Sequence, residues 1–369
     1  MPRLRKLWIR NFRNYILADL TFGDGITMLV GRNGQGKSNL LEAVYLVATG
    51  RSHRTTHEAE AIRRGETGAR IRAQVLRRGR EEELEITLVL EESRLATEMR
   101  VNGVVTPRGS VLGRLPVVLA APWDLELVRG GGSGRRRLLD GALAQLSPAY
   151  FFSLHRYHRV VTQRNAELRR RAPGGLEPWD AQLIALGVRI TAHRARHVAR
   201  LQPQAEAWFD RLGGEGAFSA TYRPSWTGAT DEECAAAARA QIGRGRADEY
   251  RRGVTLSGPH RDDLEFALDG APLRANGSQG QWRTAMLAVR MAERAVMAAE
   301  LGGSPVVLLD DALAELDPGR QRRMLEVDDD AQVFATATAL PASTRAVRVF
   351  AVEAGTVREA EWSPRSETS

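Results

Sequence analysis

The sequence predicts an α/β nucleotide-binding fold interrupted by a mainly helical arm, and three observations carry that prediction. A glycine-rich loop sits between an apolar strand and a helix-spaced segment near the start of the chain. A second apolar strand, tipped by two aspartates, lies near its end. Between them runs a stretch of helical periodicity that holds the chain's whole surplus of positive charge.

The first observation is the most specific. Residues Gly31-Arg32-Asn33-Gly34-Gln35-Gly36-Lys37-Ser38 match the phosphate-loop pattern G-x-x-x-x-G-K-[ST] at every fixed position. The preceding run, Ile26-Thr27-Met28-Leu29-Val30, reads as a buried parallel strand. After it, Leu40, Leu41, Val44, Tyr45 and Val47 recur at helical spacing, so a helix is expected to start near Gly36. That order aims backbone N–H groups and a helix dipole at an anion. Lys37 is placed to reach the outer phosphates and the Ser38 hydroxyl to hold Mg²⁺. Lysine occurs only at Lys6 and Lys37; arginine replaces it everywhere else. A compact ammonium fits among phosphate oxygens where a planar guanidinium does not.

Length and composition bound the rest. At 369 residues the chain has room for two domains, or for one with a large insertion. The single cysteine, Cys234, excludes a disulfide framework and a cysteine zinc site. With no charged-then-apolar leader pattern and no run of membrane-spanning length, a cytoplasmic protein without a membrane partner is expected. No internal repeat at solenoid periods is visible.

In chain order, Leu4–Ile9, residues 16–22 and Ile26–Val30 read as strands. Asn11-Phe12-Arg13-Asn14-Tyr15 reads as an ordinary hairpin loop. The polar, basic segment Gly50-Arg51-Ser52-His53-Arg54-Thr55 is either a solvated loop or an anion-contacting loop near the nucleotide. Residues 69–90 and 98–106 read as β structure, with Asn102-Gly103 as a hairpin turn, and residues 115–120 as another buried strand. Gly130–Gly134 reads as a hinge or border. Helical spacing then extends from Arg135 to about Arg211, with a Pro-Gly-Gly break at 173–175. Residues 129–200 hold fourteen arginines against four acids, a net of +10 where the whole chain is +8. Such a local surplus fits a nucleic-acid surface that contacts phosphates and duplex shape, since no helix-turn-helix or zinc finger is present. A strand at 218–222, a helix over Asp231–Arg252, a tight polar turn at 257–263 and a strand pair around Asp269-Gly270 complete the arm side.

The second half of the nucleotide site follows. Pro305–Leu309 is an apolar strand ending in Asp310-Asp311. Such a strand delivers a carboxylate to the Mg²⁺ of a bound nucleotide, which makes Asp310 the metal-side candidate and Asp311 the candidate to polarise attacking water. Upstream, Asn276-Gly277-Ser278-Gln279-Gly280-Gln281 precedes a helix from about Trp282 to Glu300, a second anion-binding arrangement.

Taken together, the loop, the Ser278–Gln281 signature, the double-acid strand and Ala314-Glu315-Leu316-Asp317 resemble the ABC-type ATPase heads that include SMC proteins and Rad50. More narrowly, the chain resembles the RecF family of bacterial recombination-mediator ATPases. Asn11–Tyr15, Gly31–Ala43, Ser52–Thr55, Pro122–Leu125, Arg135-Arg136-Arg137 with Leu139-Asp140, and Gly258-Pro259-His260-Arg261-Asp262-Asp263 carry that narrower likeness. The last block sets the RecF family apart from the long coiled-coil proteins.

The resemblance implies an ABC-type head with mixed sheets, in two parts (residues 1–128 and 253–369), carrying an arm (residues 129–252). It implies slow hydrolysis of ATP with Mg²⁺, stimulated by DNA, and an ATP-dependent homodimer. It further implies binding of double-stranded DNA and of its junctions with single strands, and work with RecR and RecO in loading RecA at gaps. Residue by residue, Gly31, Arg32, Asn33, Gly34, Gln35, Gly36, Lys37, Ser38 and Asn39 would hold the nucleotide of one copy. Ser278, Gly280 and Gln281 would complete the site of another. Lys37 and Asp311 would be catalytic, and Ser38 and Asp310 would bind the metal. Arg54, Arg135, Arg136 and Arg137 are the expected DNA contacts. Trp282 departs from the polar residue usual after the signature, and Phe334–Thr338 stands where transporter ATPases carry a switch histidine. An SMC- or Rad50-like clamp without a mediator role, and a transporter ATPase subunit, are the rival readings.

Overall fold

The computed structural model describes residues 2–360 apart from Ser93, 171–174, Glu315, 327–330 and 341–347. Strands β1 (Arg3–Phe12), β2 (Tyr15–Thr21) and β3 (Ile26–Val30) lead through the glycine loop into helix α1 (Lys37–Thr49). Next come β4 (Gly68–Arg77), β5 (Arg80–Glu91), β6 (Arg94–Val101), β7 (Val104–Val105), the short α2 (Arg108–Val111) and β8 (Val117–Ala120). Helices α3 (Leu125–Arg129), α4 (Gly132–Leu146), α5 (Pro148–Arg170) and α6 (Glu177–Arg211) follow, then β9 (Phe218–Arg223) and α7 (Asp231–Arg252). The remainder is β10 (Asp263–Leu268), β11 (Ala271–Pro272), α8 (Leu273–Asn276), α9 (Gln279–Leu301), β12 (Val306–Leu309), α10 (Pro318–Leu325), β13 (Val333–Ala337), β14 (Arg348–Glu353) and β15 (Thr356–Ala360). The proline-glycine break expected at 173–175 lies almost wholly outside the described residues.

By contacts the chain divides into two units, one of residues 1–124, 210–213 and 293–369, the other of residues 125–209 and 214–292. The sequence reading returns the chain to the head at residue 253. In the structure, residues 253–292 cluster with the helical unit, because β10 pairs with β9 along its whole length and packs against α4. Gly130–Gly134, read as a hinge or border, is the entry to α4; the border by contacts falls between Asp124 and Leu125. Gly132 stands in its first turn, where a Cβ would come within 2.8 Å of the Asp263 carboxylate.

In the first unit α1 is covered on two sides. An antiparallel sheet of order β2-β1-β4-β5-β6-β7 covers one, and a mixed sheet of order β15-β14-β3-β13-β12-β8 covers the other. This is why α1 is apolar almost all round, with Leu40, Leu41, Val44, Leu46 and Val47 all buried in one cluster with both sheets. The antiparallel strands alternate: Leu7 and Ile9 on β1, Ile71 and Ala73 on β4, and Leu84 and Ile86 on β5 face the core. The Asn102-Gly103 turn has positive φ at both residues, 49° and 78°, the geometry that a two-residue hairpin of this hand requires.

The mixed sheet sets the site. Its strands β3, β13, β12, β8 and β14 are mutually parallel, and β13 lies between β3 and β12. The loop after β3 and the aspartates after β12 therefore leave the sheet at the same carboxyl edge, where open α/β sheets hold their ligands.

The second unit is organised by buried arginines. Arg194, 1% exposed, binds Asp140, Asp262 and the Pro259 carbonyl. Arg164, fully buried, binds Asp180, Glu249 and the Thr255 hydroxyl. Asp262 also accepts from the Tyr222 hydroxyl and from Ser225 N at 2.7 Å. The Gly-Pro-His-Arg-Asp-Asp block is thus a polar keystone. In it, His260 sits between the Tyr157 hydroxyl at 2.8 Å and the Thr255 carbonyl at 3.1 Å. Burial, with the Arg261 and His158 charges adding to it, pushes the His260 imidazole down to about 4.

That shift has a sign. Between pH 6.5 and 4 the unfolded chain takes up a proton that the folded one refuses, so folded stability falls as the pH drops through this window, by at most about 3 kcal/mol. We expect the urea midpoint of the wild type to fall more steeply from pH 6.5 to 4.5 than that of His260→Gln. Parallel pH profiles would show that His260 is charged in the fold.

Candidate nucleotide-binding site

The glycine loop is held from outside by its carbonyls. The Gln35 carbonyl accepts from Asn14 Nδ2 at 2.9 Å and from Gly355 N at 3.1 Å, and the Gly36 carbonyl accepts from the Tyr15 hydroxyl at 2.9 Å. Asn39 Nδ2 donates to Asn14 Oδ1 at 2.8 Å, tying the first turn of α1 to the same hairpin. With its carbonyls so engaged, the loop has backbone N–H groups to offer an anion. Two glycines are needed for space as well. Gly36 has φ 118° and its Cβ would meet Asn14 and the Tyr15 hydroxyl within 2.9 Å; a Cβ on Gly31 would lie 2.2 Å from the Val352 carbonyl. Lys37, 4% exposed, donates from Nζ to the Gly31 carbonyl at 2.8 Å and the Arg32 carbonyl at 3.2 Å.

At the tip of β12, Asp310 is 1% exposed and accepts from the Ser38 hydroxyl at 2.7 Å, a contact between residues 272 positions apart. Burial raises its carboxyl above the usual range, and the Asp311 charge adds to this, against hydrogen bonds from Ser38 and Thr336. A hydroxyl and a carboxylate at this distance are hard oxygen donors of the kind Mg²⁺ takes. Asp311 follows in the left-handed region, φ 47°, with its N–H donating to Thr336 Oγ1 at 2.7 Å. The Thr336 hydroxyl in turn has Asp310 Oδ1 at 3.0 Å and Asp311 Oδ1 at 3.2 Å as acceptors. Sequence reasoning noted the Phe334–Thr338 segment only for its missing histidine; the strand order makes Thr336 the residue that fixes both aspartates.

The hairpin read as an ordinary loop is a second omission. Besides Asn14 and Tyr15 it supplies Arg13, which forms a two-pronged pair with Glu42 of α1, at 2.9 and 2.6 Å. Glu42 is fully buried and also takes the Ser52 hydroxyl at 2.5 Å and Arg54 Nη1 at 3.3 Å. Burial alone would raise this carboxyl, but the hydrogen bonds from Arg13 and Ser52 and the charges of Arg13 and Arg54 hold it below the usual range. Arg54, an expected DNA contact, is exposed and binds Asn39 Oδ1 at 2.5 Å, in the first turn of α1 next to Ser38.

The signature segment lies in the second unit. Ser278 and Gln281 cap α9 reciprocally: Ser278 N donates to Gln281 Oε1 at 2.8 Å, and Gln281 N donates to Ser278 Oγ at 3.2 Å. Ser278, Gln279 and Gly280 are exposed. Trp282, the departure noted in the sequence, anchors the turn. Its indole donates to the Leu273 carbonyl at 2.8 Å, and the Arg129 guanidinium lies 4.4 Å from its ring centre. Asp317 caps α10 through Arg320 N at 2.9 Å; Glu315 lies outside the described residues.

The arm arginines correct the sequence reading. Arg135 is 6% exposed and grips Asp263 with two bonds of 2.7 Å, so it is structural and not a DNA contact. Arg136 donates to the Asp262 carbonyl at 2.6 Å and is half-buried. Of the expected trio only Arg137 is exposed, together with Arg156 and Arg159 on α5 and Arg189 and Arg196 on α6. Spacing could not separate these groups, because buried ion-paired arginines and exposed ones recur at the same helical period.

Comparison with known proteins follows this geometry. The pattern of the RecF/RecN/SMC N terminal domain matches residues 3–358. A DNA replication and repair protein RecF of Synechocystis is 39% identical over 96% of this chain and 98% of its own length. That of Symbiobacterium thermophilum is 38% identical, over 96% and 97%. The recombination mediator protein RecF solved with ATP, from the RecFOR pathway, superposes with a TM-score of 0.90 at 28% identity, covering 98% of both chains. An SMC head bound to a winged-helix domain of ScpA shares the fold, with a TM-score of 0.57 at 16% identity. From these matches, which span nearly its full length, the chain belongs to the RecF family.

Proposed function

We propose that this chain is an ATP-dependent DNA-binding protein of recombinational repair and replication, whose slow ATP hydrolysis switches it between one copy and two. The observation that carries this reading is the Ser38–Asp310 contact at 2.7 Å, which joins a phosphate loop to an acid-tipped strand at one sheet edge. Relatives named as DNA replication and repair proteins, and a superposable structure named with ATP, support it.

In this reading Gly31–Ser38 cradle the phosphates, and Lys37 exchanges its two loop carbonyls for phosphate oxygens. Ser38 and Asp310 would hold Mg²⁺, which supplies charge neutralisation on the phosphates when bound. Asp311, fixed by Thr336, orients and polarises water. Because Ser278 and Gly280 are exposed at a helix start, they complete the nucleotide site of a second copy, so ATP joins two heads. Duplex DNA, with its single-strand junctions, meets the exposed arginines of the helical unit. Work with RecR and RecO follows the pathway named for the relative, and action on RecA follows from the family resemblance.

Division of labour between the aspartates is the first test. Asp311→Asn should bind Mg-ATP normally and hydrolyse it at least about 100-fold more slowly, whereas Asp310→Asn should weaken Mg²⁺-dependent ATP binding itself. The same defect in both would remove the assignment. Assembly is the second. Sedimentation should show monomers without nucleotide and dimers with ATP, and Ser278→Arg should abolish dimers and hydrolysis while each copy still binds ATP. Wild-type hydrolysis by a species monomeric at all concentrations would exclude the two-headed mechanism. DNA contact is the third. Charge reversal at Arg137, Arg156 and Arg159 should weaken duplex binding for all sequences alike and flatten the log–log salt slope by roughly one unit per lost phosphate contact. An unchanged slope would move the DNA surface off these helices.

A further inference from the structure

The loop after α1, Arg51-Ser52-His53-Arg54-Thr55, offers the core no aliphatic side chain, yet it is fixed at three points. The Ser52 hydroxyl donates to Glu42 and accepts from Arg54 N at 3.0 Å and Thr55 N at 3.3 Å. Arg54 Nη1 bonds Asn39 and Glu42. The third point is aromatic. The His53 ring meets Tyr45 of α1 edge-on, centres 5.0 Å apart at 84°, and is stacked on Trp123, centres 5.1 Å apart at 23°.

Trp123 comes from a different part of the sheet. It stands in the turn that follows β8, a turn fixed by Ala121 N donating to Asp124 Oδ2 at 3.1 Å. Strand β8 neighbours β12, and Asp310 N donates to the Ala120 carbonyl at 2.9 Å. The turn therefore starts beside the metal-side aspartate. Trp123 remains 38% exposed, high for so large an apolar side chain, so covering it with the core does not account for its position. What its ring does touch is His53, the neighbour of the arginine that binds Asn39 in the first turn of α1, next to Ser38.

We propose that Trp123 is a positioning residue for hydrolysis: by stacking on His53 it holds the loop so that Arg54 stays on the phosphate side of the nucleotide site. This rests on the ATPase reading above. Ser52 and Glu42 fix the loop from the α1 side only. Without the stack the loop loses its contact from the β8 side and is held from the α1 side alone, by Tyr45 as well as Ser52 and Glu42, so that Arg54 shifts with it. Ground-state binding through Gly31–Ser38 is untouched by such a shift, so the loss falls on turnover and not on affinity.

The test is steady-state ATP hydrolysis by the full chain, with the thermal midpoint of every variant measured alongside. Trp123→Ala should lower kcat about tenfold with KM for ATP within about twofold, and Trp123→Phe, which keeps a flat ring, should restore most of kcat. Trp123→Leu keeps apolar bulk without the stack and should behave as Ala does. The double variant with Arg54→Ala should be no slower than Arg54→Ala alone, since both changes remove one effect. Rescue by Leu as good as rescue by Phe, or additive losses in the double variant, would overturn the proposal. Lys37→Ala in the same assay keeps the two levels apart. Full turnover there would remove the ATPase reading and this proposal with it, whereas lost turnover there beside an unaffected Trp123→Ala would overturn this proposal alone.

Discussion

A carboxylate buried at the end of a strand is expensive to ionise, and the first unit is arranged around that expense at Asp310. Its 1% exposure removes water as a partner, so its charge depends on what the neighbouring strands bring. Strand β13 brings the Thr336 hydroxyl, and the helix after β3 brings Ser38. Both donors are neutral, and a second carboxylate lies one residue on. The protein alone therefore leaves Asp310 above its usual range, and a divalent cation would be the partner that lowers it. The strand order follows from the same need: with β13 between β3 and β12, three separate segments reach one carboxylate.

The second unit handles buried charge by the opposite means. Arg194 and Arg164 supply full positive charges to Asp140, Asp262, Asp180 and Glu249, with planar donor forks that satisfy several acceptors at once. Such networks are weak sources of net stability, but removing one partner strands the others. The arginine surplus of this unit thus has two physical origins. Part closes these networks, and part faces solvent, where it remains available to a polyanion. A count of charges along the chain cannot tell one from the other.

Legibility in the sequence followed the range of each interaction. The loop at 31–38, the helix after it, the Asn102-Gly103 hairpin and the aspartates after β12 rest on local chemistry, so spacing alone exposed them. The family resemblance added the signature. Thr336 depends on which strands become neighbours, and Glu42 on the hairpin and the loop that fold onto α1, and nothing within a few residues of either marks it. The hairpin at 11–15 reads as a plain turn because its work, holding the carbonyls of Gln35 and Gly36, is done 21 positions away in sequence. Arg135 failed for a related reason: its partner Asp263 is 128 positions distant. The domain border at 253 failed because a strand pairing, β9 with β10, crosses it.

The rarity of lysine now has a structural counterpart. Arginine stands at nearly every basic position of this chain, including buried ones such as Arg164 and Arg194, where a fork with five donors is an advantage. At Lys37 it is a disadvantage. The Nζ atom sits between two carbonyls of a tight loop, those of Gly31 and Arg32, in a side chain that is 4% exposed. A point charge with three rotatable donors can satisfy those carbonyls and then turn to phosphate oxygens without moving the loop. A planar guanidinium must keep its donors in one plane and needs width that the close approach of Gly31 to β14 denies. The shape of the loop favours lysine here, in a chain that otherwise uses arginine almost throughout.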